Sequence, residues 1–240
     1  MVSLRKMEKM EALSFDNSLR LHKDSILLFK SKSYPSAYFL SVIALEELGK
    51  MLSLNNYIFQ ECAHSKKERR SLYQDSEMRK FEQEYFDLLH GNHVWKQLSF
   101  FSYTWENMQD LKFLDNIKSR KLEKEKQGSL YVGLKKKNRS TILDSRVHSP
   151  LKIGRSEVIN QITRVNDFFV IFSIGKLLGF YGVDNKLITR QIRLSFYKDL
   201  TNNWTRLGVR ARTRINAWTR YSKKERLPYE LRKKISLLGI

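Results

Sequence analysis

The stretch SAYFLSVIALEELGK, residues 36–50, constrains the fold more than any other part of the chain. Its first ten residues are apolar or small all round, too uniform for a helix that shows one face to water. Such a helix belongs inside a core. Two adjacent carboxylates, Glu46 and Glu47, then stand directly behind that buried segment, followed by Gly49 and Lys50. Charges at the end of a buried helix need partners, because an uncompensated buried charge costs several kcal/mol. Lys50 follows Glu46 by four residues and Glu47 by three, a spacing at which it can reach either carboxylate.

The rest of the chain reads as helical. Only 3 Pro and 10 Gly occur in 240 residues, too few for a turn-rich β fold. Residues 13–31 form an amphipathic helix with Leu13, Leu19, Ile26, Leu27 and Leu28 as its apolar positions. Ser33-Tyr34-Pro35 breaks it, and Pro35 suits the first turn of a second helix over 36–59, so that the two make an antiparallel hairpin. Residues 64–80 read as a loop or a short exposed helix, and a third helix covers 81–108, with Gly91-Asn92 as the place for an interruption. Residues 110–127 read as one charged helix stopped by Gly128. An irregular region follows, with room for one short β-like pairing; helical pattern returns at 155–178, 184–200, 203–221 and 228–237. The expected class is all-α: a helical bundle over 1–183 with a basic helical extension, 184–240, packed on it.

Charge narrows the partners. The chain holds 45 Lys+Arg against 25 Asp+Glu, and residues 186–240 hold 15 basic and only 3 acidic residues. Such asymmetry points to an anionic partner, most often nucleic acid. The strongest signal is NNWTRLGVRARTRINAWTRYSKKER, 202–226. Arg206, Arg210 and Arg214 are spaced to line one helical face, with Arg212 and Arg220 beside them and Trp204, Trp218 and Tyr221 interleaved. Arginines neutralise phosphates and exposed rings stack on unpaired bases; the competing reading is a terminal helix whose aromatics face the core. The apolar segment 168–183 is 16 residues long and contains Lys176, too short for a membrane span and suited to a core or a dimer interface. One cysteine, Cys62, allows no internal disulfide, and the first residues lack a signal-peptide core, so a cytoplasmic location is expected.

The buried helix ending in ALEELGK resembles the signature helix of the AbiV abortive-infection family, within the HEPN superfamily. SLRLHKDSILLFKSKSYPSA is similar to the family's first helix and turn, GNHVWKQ to its His-x-x-Lys element, and GSLYVGL to its Leu-Tyr-Val element, although Gly133 stands where the family often has an acidic residue. The resemblance spans roughly residues 10–180. It implies a HEPN-like bundle that pairs as a homodimer and a role in bacterial defence against phage in which infection is aborted, with a phage protein as a fitting activator. With the basic charge, the expected mechanism is binding of RNA or the translation machinery that halts protein synthesis, with RNA cleavage open; the alternative is a non-catalytic protein-interaction module regulated by a phage-encoded partner. Many HEPN proteins are metal-independent ribonucleases with an Arg-x4-6-His motif; no arginine of this chain has a histidine at that spacing.

In place of that motif, Glu46, Glu47 and Lys50 from the signature helix stand with His93 and Lys96, which are three residues apart on one face of the third helix. If those helices pack together, two acids, a histidine and two lysines converge and could do acid–base work on a phosphodiester. An ion network that only fixes helix packing would leave the same pattern. Metal spacing is poor: His64 follows Cys62 by two and His93 follows His90 by three, without a His-Glu-x-x-His motif, so neither a metal nor another cofactor is expected. No phosphate loop or dinucleotide fingerprint is present.

Overall fold

The computed structural model describes residues 3–63, 76–102, 111–135, 146–178, 188, 194–208, 211–213 and 215–216. The chain forms two compact units, Met1–Arg155 and Ser156–Ile240; the expected boundary between 183 and 184 lies outside the described residues. Among the described residues the fold is helical, with one small antiparallel ribbon.

The first unit opens with the expected hairpin, α1 (Leu4–Lys30) and α2 (Tyr34–Ala63). Lys32 turns the chain with a left-handed φ of 63°. Its N–H donates to the Phe29 carbonyl and that of Ser33 to the Leu28 carbonyl, which together satisfy the last carbonyls of α1. The segment 36–50 is buried or half-buried throughout, and Val42, Leu45, Leu48 and Met51 are fully enclosed. Each such side chain contributes about 1.5–3 kcal/mol by leaving water.

α1 departs from expectation in which face it buries. Leu13 and Leu27 point to solvent, at 55% and 61% exposure. The buried face carries Ser14, Ser18, Ser25 and His22 alongside Phe15, Leu21 and Ile26. Small hydroxyl side chains let α1 lie close along α2, and Ser18 Oγ donates to the Ala44 carbonyl across the interface at 2.6 Å. Counting leucines misplaced the stripe because close helix packing favours small residues over large ones here.

The third expected helix is two, α3 (Ser76–Gly91) and α4 (His93–Ser102). Asn92 makes the break: its Oδ1 accepts from the Trp95 backbone N–H at 3.0 Å and caps α4. α4 packs against α2, and Gly49 is the point of closest approach. A Cβ on Gly49 would overlap the Lys96 carbonyl oxygen and come within 3.2 Å of the Phe100 amide nitrogen. The usual penalty for a glycine inside a helix, about 0.5–1 kcal/mol, is accepted there for contact between two backbones.

The single charged helix expected at 110–127 is also two, α5 (Leu111–Lys118) and α6 (Lys121–Gly128). Arg120 separates them with a φ of 55°. Nothing local marks this break, since neither Gly nor Pro stands there; the turn redirects α6 so that Leu122 and Lys126, four apart, both face inward. β1 (Gly133–Lys135) then pairs with β2 (Arg146–His148), the short β-like pairing expected in this region, and a 3-10 turn at Pro150–Lys152 follows.

The second unit contains most of α7 (Arg155–Leu178) and α8 (Leu194–Asn203). Residues 165–175 of α7 are all buried within the single chain. After α8 the backbone leaves the helix over 204–208, where both Asp167 carboxylate oxygens accept from the Gly208 N–H, at 3.0 and 3.1 Å. Among the described residues, no helix is long and apolar enough to cross a membrane.

Gly49 gives a test of the packing. Gly49→Ala should lower stability by about 1–3 kcal/mol, the usual cost of overpacking. Gly91→Ala, where a Cβ meets nothing within 4 Å, should stay within about 0.5 kcal/mol of wild type. Urea denaturation of the two variants checks the contrast.

Candidate functional site

Glu46 is the centre of the first unit's polar chemistry. α2 holds it at 3% exposure, and two other helices aim side chains at it. From the first turn of α4, His93 Nδ1 lies 2.8 Å from Glu46 Oε2. One turn on, Gln97 Nε2 donates to Glu46 Oε1 at 2.8 Å. From α6, Lys126 Nζ donates to the same Oε1 at 2.9 Å. Lys126 is itself 1% exposed and forms a second ion pair, 2.6 Å, with Glu123 Oε2. Gln127 Nε2 steadies the other Glu123 oxygen at 3.0 Å. Tyr38 on α2 donates to Glu125 at 2.8 Å, tying α6 to α2 a second time.

Burial and charge divide the roles. Glu46 and Lys126 are both removed from water, so each depends on the other; deleting one partner of such a pair strands the other. Desolvation alone would raise the Glu123 pKa, but its hydrogen bonds from Lys126 and Gln127, with the charges of Lys126 and His93, hold it below the ordinary carboxylate value. Lys96, 7% exposed, has its pKa lowered by burial; Glu46 and Glu47 pull it back up while Lys50 and Lys126 push it further down. His93 differs from all of these: its side chain is 47% exposed. With Nδ1 facing Glu46, Nε2 is the nitrogen without a partner among the described residues.

The five residues singled out from the sequence therefore share one neighbourhood, with one correction. The cation bonded to Glu46 is Lys126, 80 residues away in sequence, and not Lys50. Glu47 and Lys50 are half-buried and make no hydrogen bond or ion pair with each other. Glu46 projects toward α4 and α6, which fill both its oxygens, so a neighbour on its own helix is not needed. Gln97, Glu123 and Lys126 were missed. Gln97 was within reach of sequence reasoning, since it follows His93 by four residues on the same helical face. Lys126 was concealed in KLEKEKQG, where only Leu122, four residues earlier, hints that its face turns inward.

Glu46, His93 and Glu123 each bring one potential ligand atom to within 4.8 Å of the others. The two carboxylates already share the Lys126 ammonium, and a divalent ion would have to sit against that buried positive charge. The donor set is built around an ammonium.

The basic C-terminal stretch is partly described. Arg206 and Arg212 are exposed. Trp204 is not a free stacking ring: it is 5% exposed and its Nε1 donates to Thr163 Oγ1 at 3.0 Å. Nor does Arg206 share a continuous helix with the later arginines, because 204–208 is non-helical; Asp167 captures the Gly208 amide and prevents an unbroken helix. Arg210, Arg214, Trp218 and Arg220 lie outside the described residues.

The fold and the cluster define a helical-bundle protein with an ion pair at its heart and an imidazole at the edge of that pair. The chain belongs to the AbiV family of HEPN domains: the family profile matches residues 6–170, from α1 into α7. No curated protein and no solved structure matches the chain.

Glu46→Ala should cost about 3–5 kcal/mol, because Lys126 is then left buried without its partner; chemical denaturation measures this. Glu123 supplies the pH dependence. Its folded pKa is depressed, so its contribution is present above the unfolded value near 4.5 and is lost as pH falls through the folded value. The stability gap between wild type and Glu123→Gln should therefore narrow on acidification below that range, in denaturation curves recorded across pH.

Proposed function

We propose that this protein is an abortive-infection effector that acts on RNA, with His93 as the acid–base group and Glu46 as the residue that orients it. The observation that carries this reading is the contact between Glu46 Oε2 and His93 Nδ1 at 2.8 Å, in which one partner is buried and the other half-exposed. A carboxylate on Nδ1 selects the tautomer with the proton on that nitrogen, which leaves Nε2 as a base. In phosphodiester cleavage Nε2 would take the proton of a ribose 2′-hydroxyl. The resulting oxygen attacks the adjacent phosphorus as the phosphorus–5′-oxygen bond breaks; the leaving oxygen takes a proton from water, giving a cyclic phosphate and a free 5′-hydroxyl, and the protonated imidazole returns its proton to solvent. Lys50, half-buried near the cluster, supplies positive charge for the phosphate.

The missing Arg-x4-6-His motif leaves this chemistry to residues assembled from separate helices. A second reading, non-catalytic binding of RNA or the ribosome that halts protein synthesis, is favoured by the exposed Arg206 and Arg212 in a strongly basic terminal region. Homodimer formation and control by a phage-encoded partner belong to both readings and rest on the family.

Purified protein incubated with total RNA separates the two. His93→Ala should retain wild-type thermal stability and lose cleavage by a factor of about 10²–10⁴, the usual contribution of a general acid–base group. A stable His93→Ala protein that cleaves RNA as wild type does removes His93 from the chemistry, and a wild type that cleaves none leaves the binding reading. Under either reading RNA affinity should fall steeply between low and high salt, and a chain ending near residue 200 should bind more weakly; fluorescence anisotropy measures both.

A further inference from the structure

Lys126 and Glu123 have no part in the chemistry above, yet the fold goes to some length to place them. Arg120 adopts a left-handed conformation, α6 turns inward, and an ammonium is buried to 1% exposure. At that burial Lys126 cannot touch an RNA substrate. What it touches is the carboxylate that touches His93. Glu46 divides its two oxygens: Oε2 faces the imidazole, while Oε1 takes Lys126 at 2.9 Å and Gln97 at 2.8 Å. One carboxylate is thus shared between a half-exposed imidazole and a buried cation. Glu123 on α6 also acts on His93, and one turn along α4 from His93 the charges acting on Lys96 include Glu47 and Lys50 of α2.

We propose that Lys126, held in turn by Glu123, is a positioning residue that sets the proton affinity of the Glu46–His93 pair. By occupying Oε1 it fixes the carboxylate so that Oε2 faces Nδ1. Its positive charge offsets part of the pull that Glu46 exerts on a proton at the imidazole. Glu123 acts on His93 in two ways, directly, with ligand atoms of the two within 4.8 Å, and through Lys126, which it tempers in the same way. The catalytic use of this coupling rests on the acid–base reading of His93; the coupling itself does not.

The test is an NMR titration of the His93 ring in the full-length protein, with His93→Ala used to assign its signal among the five histidines. Lys126→Met removes a cation and should raise the His93 midpoint relative to wild type. Glu123→Gln removes an anion and leaves Lys126 wholly to Glu46, and should lower it. Shifts of about half a pH unit or more are expected for charges this close. Opposite signs from two substitutions on one helix would not arise from general loosening. Unchanged midpoints, or shifts in the same direction, overturn the proposal. Where Lys126→Met does not fold, Lys126→Gln takes its place, since it keeps a hydrogen-bond donor for Glu46 Oε1 and removes only the charge, and it should raise the midpoint likewise. The titration requires no RNA cleavage. Midpoints that move as expected while His93→Ala still cleaves RNA would keep the coupling and remove its catalytic use. Static midpoints with cleavage lost in His93→Ala would do the reverse.

Discussion

The ion pair between Glu46 and Lys126 is the interaction on which the rest of the first unit depends. Both groups are almost wholly withdrawn from water, at 4% and 1% side-chain exposure. Desolvating two such charges costs several kcal/mol each, and their attraction repays this only where geometry is good and the remaining hydrogen-bonding capacity is used. The protein meets that condition with Gln97 and His93 on the carboxylate and Glu123 on the ammonium. A pair of this kind adds little net stability over an apolar one, but it tolerates few alternatives, because any other arrangement strands a charge. It therefore specifies how α2, α4 and α6 meet.

Gly49 and Asn92 serve the same end. Asn92 starts α4 at the residue that places His93 beside Glu46. Three residues after Glu46, Gly49 lets the α4 backbone approach α2 directly. The ALEELGK sequence thus carries one device for charge and one for distance, and they act on the same neighbouring helix. Its membership of the AbiV family is consistent with this: what looks like a run of small and acidic residues is a seat for a second helix with a histidine at its first turn.

Much of the fold was open to sequence reading because it rests on local physics. The break after α1 follows from turn chemistry, the burial of α2 from its uniform apolarity, and the interruption at Gly91-Asn92 from a capping residue. The misreadings share a cause. Leu13 and Leu27 look like core and face solvent, the stacking reading of Trp204 gives way to the core-facing one, and the 110–127 helix looks continuous and is broken at Arg120. In each case a contact distant in sequence outweighed local preference: close packing along α2, a hydrogen bond to Thr163, and the inward turn of α6.

By itself, the sequence determined that the chain is helical, that residues 36–50 are interior, and that Glu46 needs a partner; His93 and Lys96 stood out as candidates on a shared helical face. Those conclusions follow from periodicity and from the cost of burying charge, both properties of short segments. Only the tertiary structure decided which cation answers Glu46, which helix supplies it, and which member of the cluster stays open to solvent. Lys50 and Lys126 are the same side chain, and neither sequence neighbourhood distinguishes a lysine in water from one in a core. The distinction arises when α6 folds back against α2 and encloses Lys126, while the first turn of α4 leaves His93 half outside.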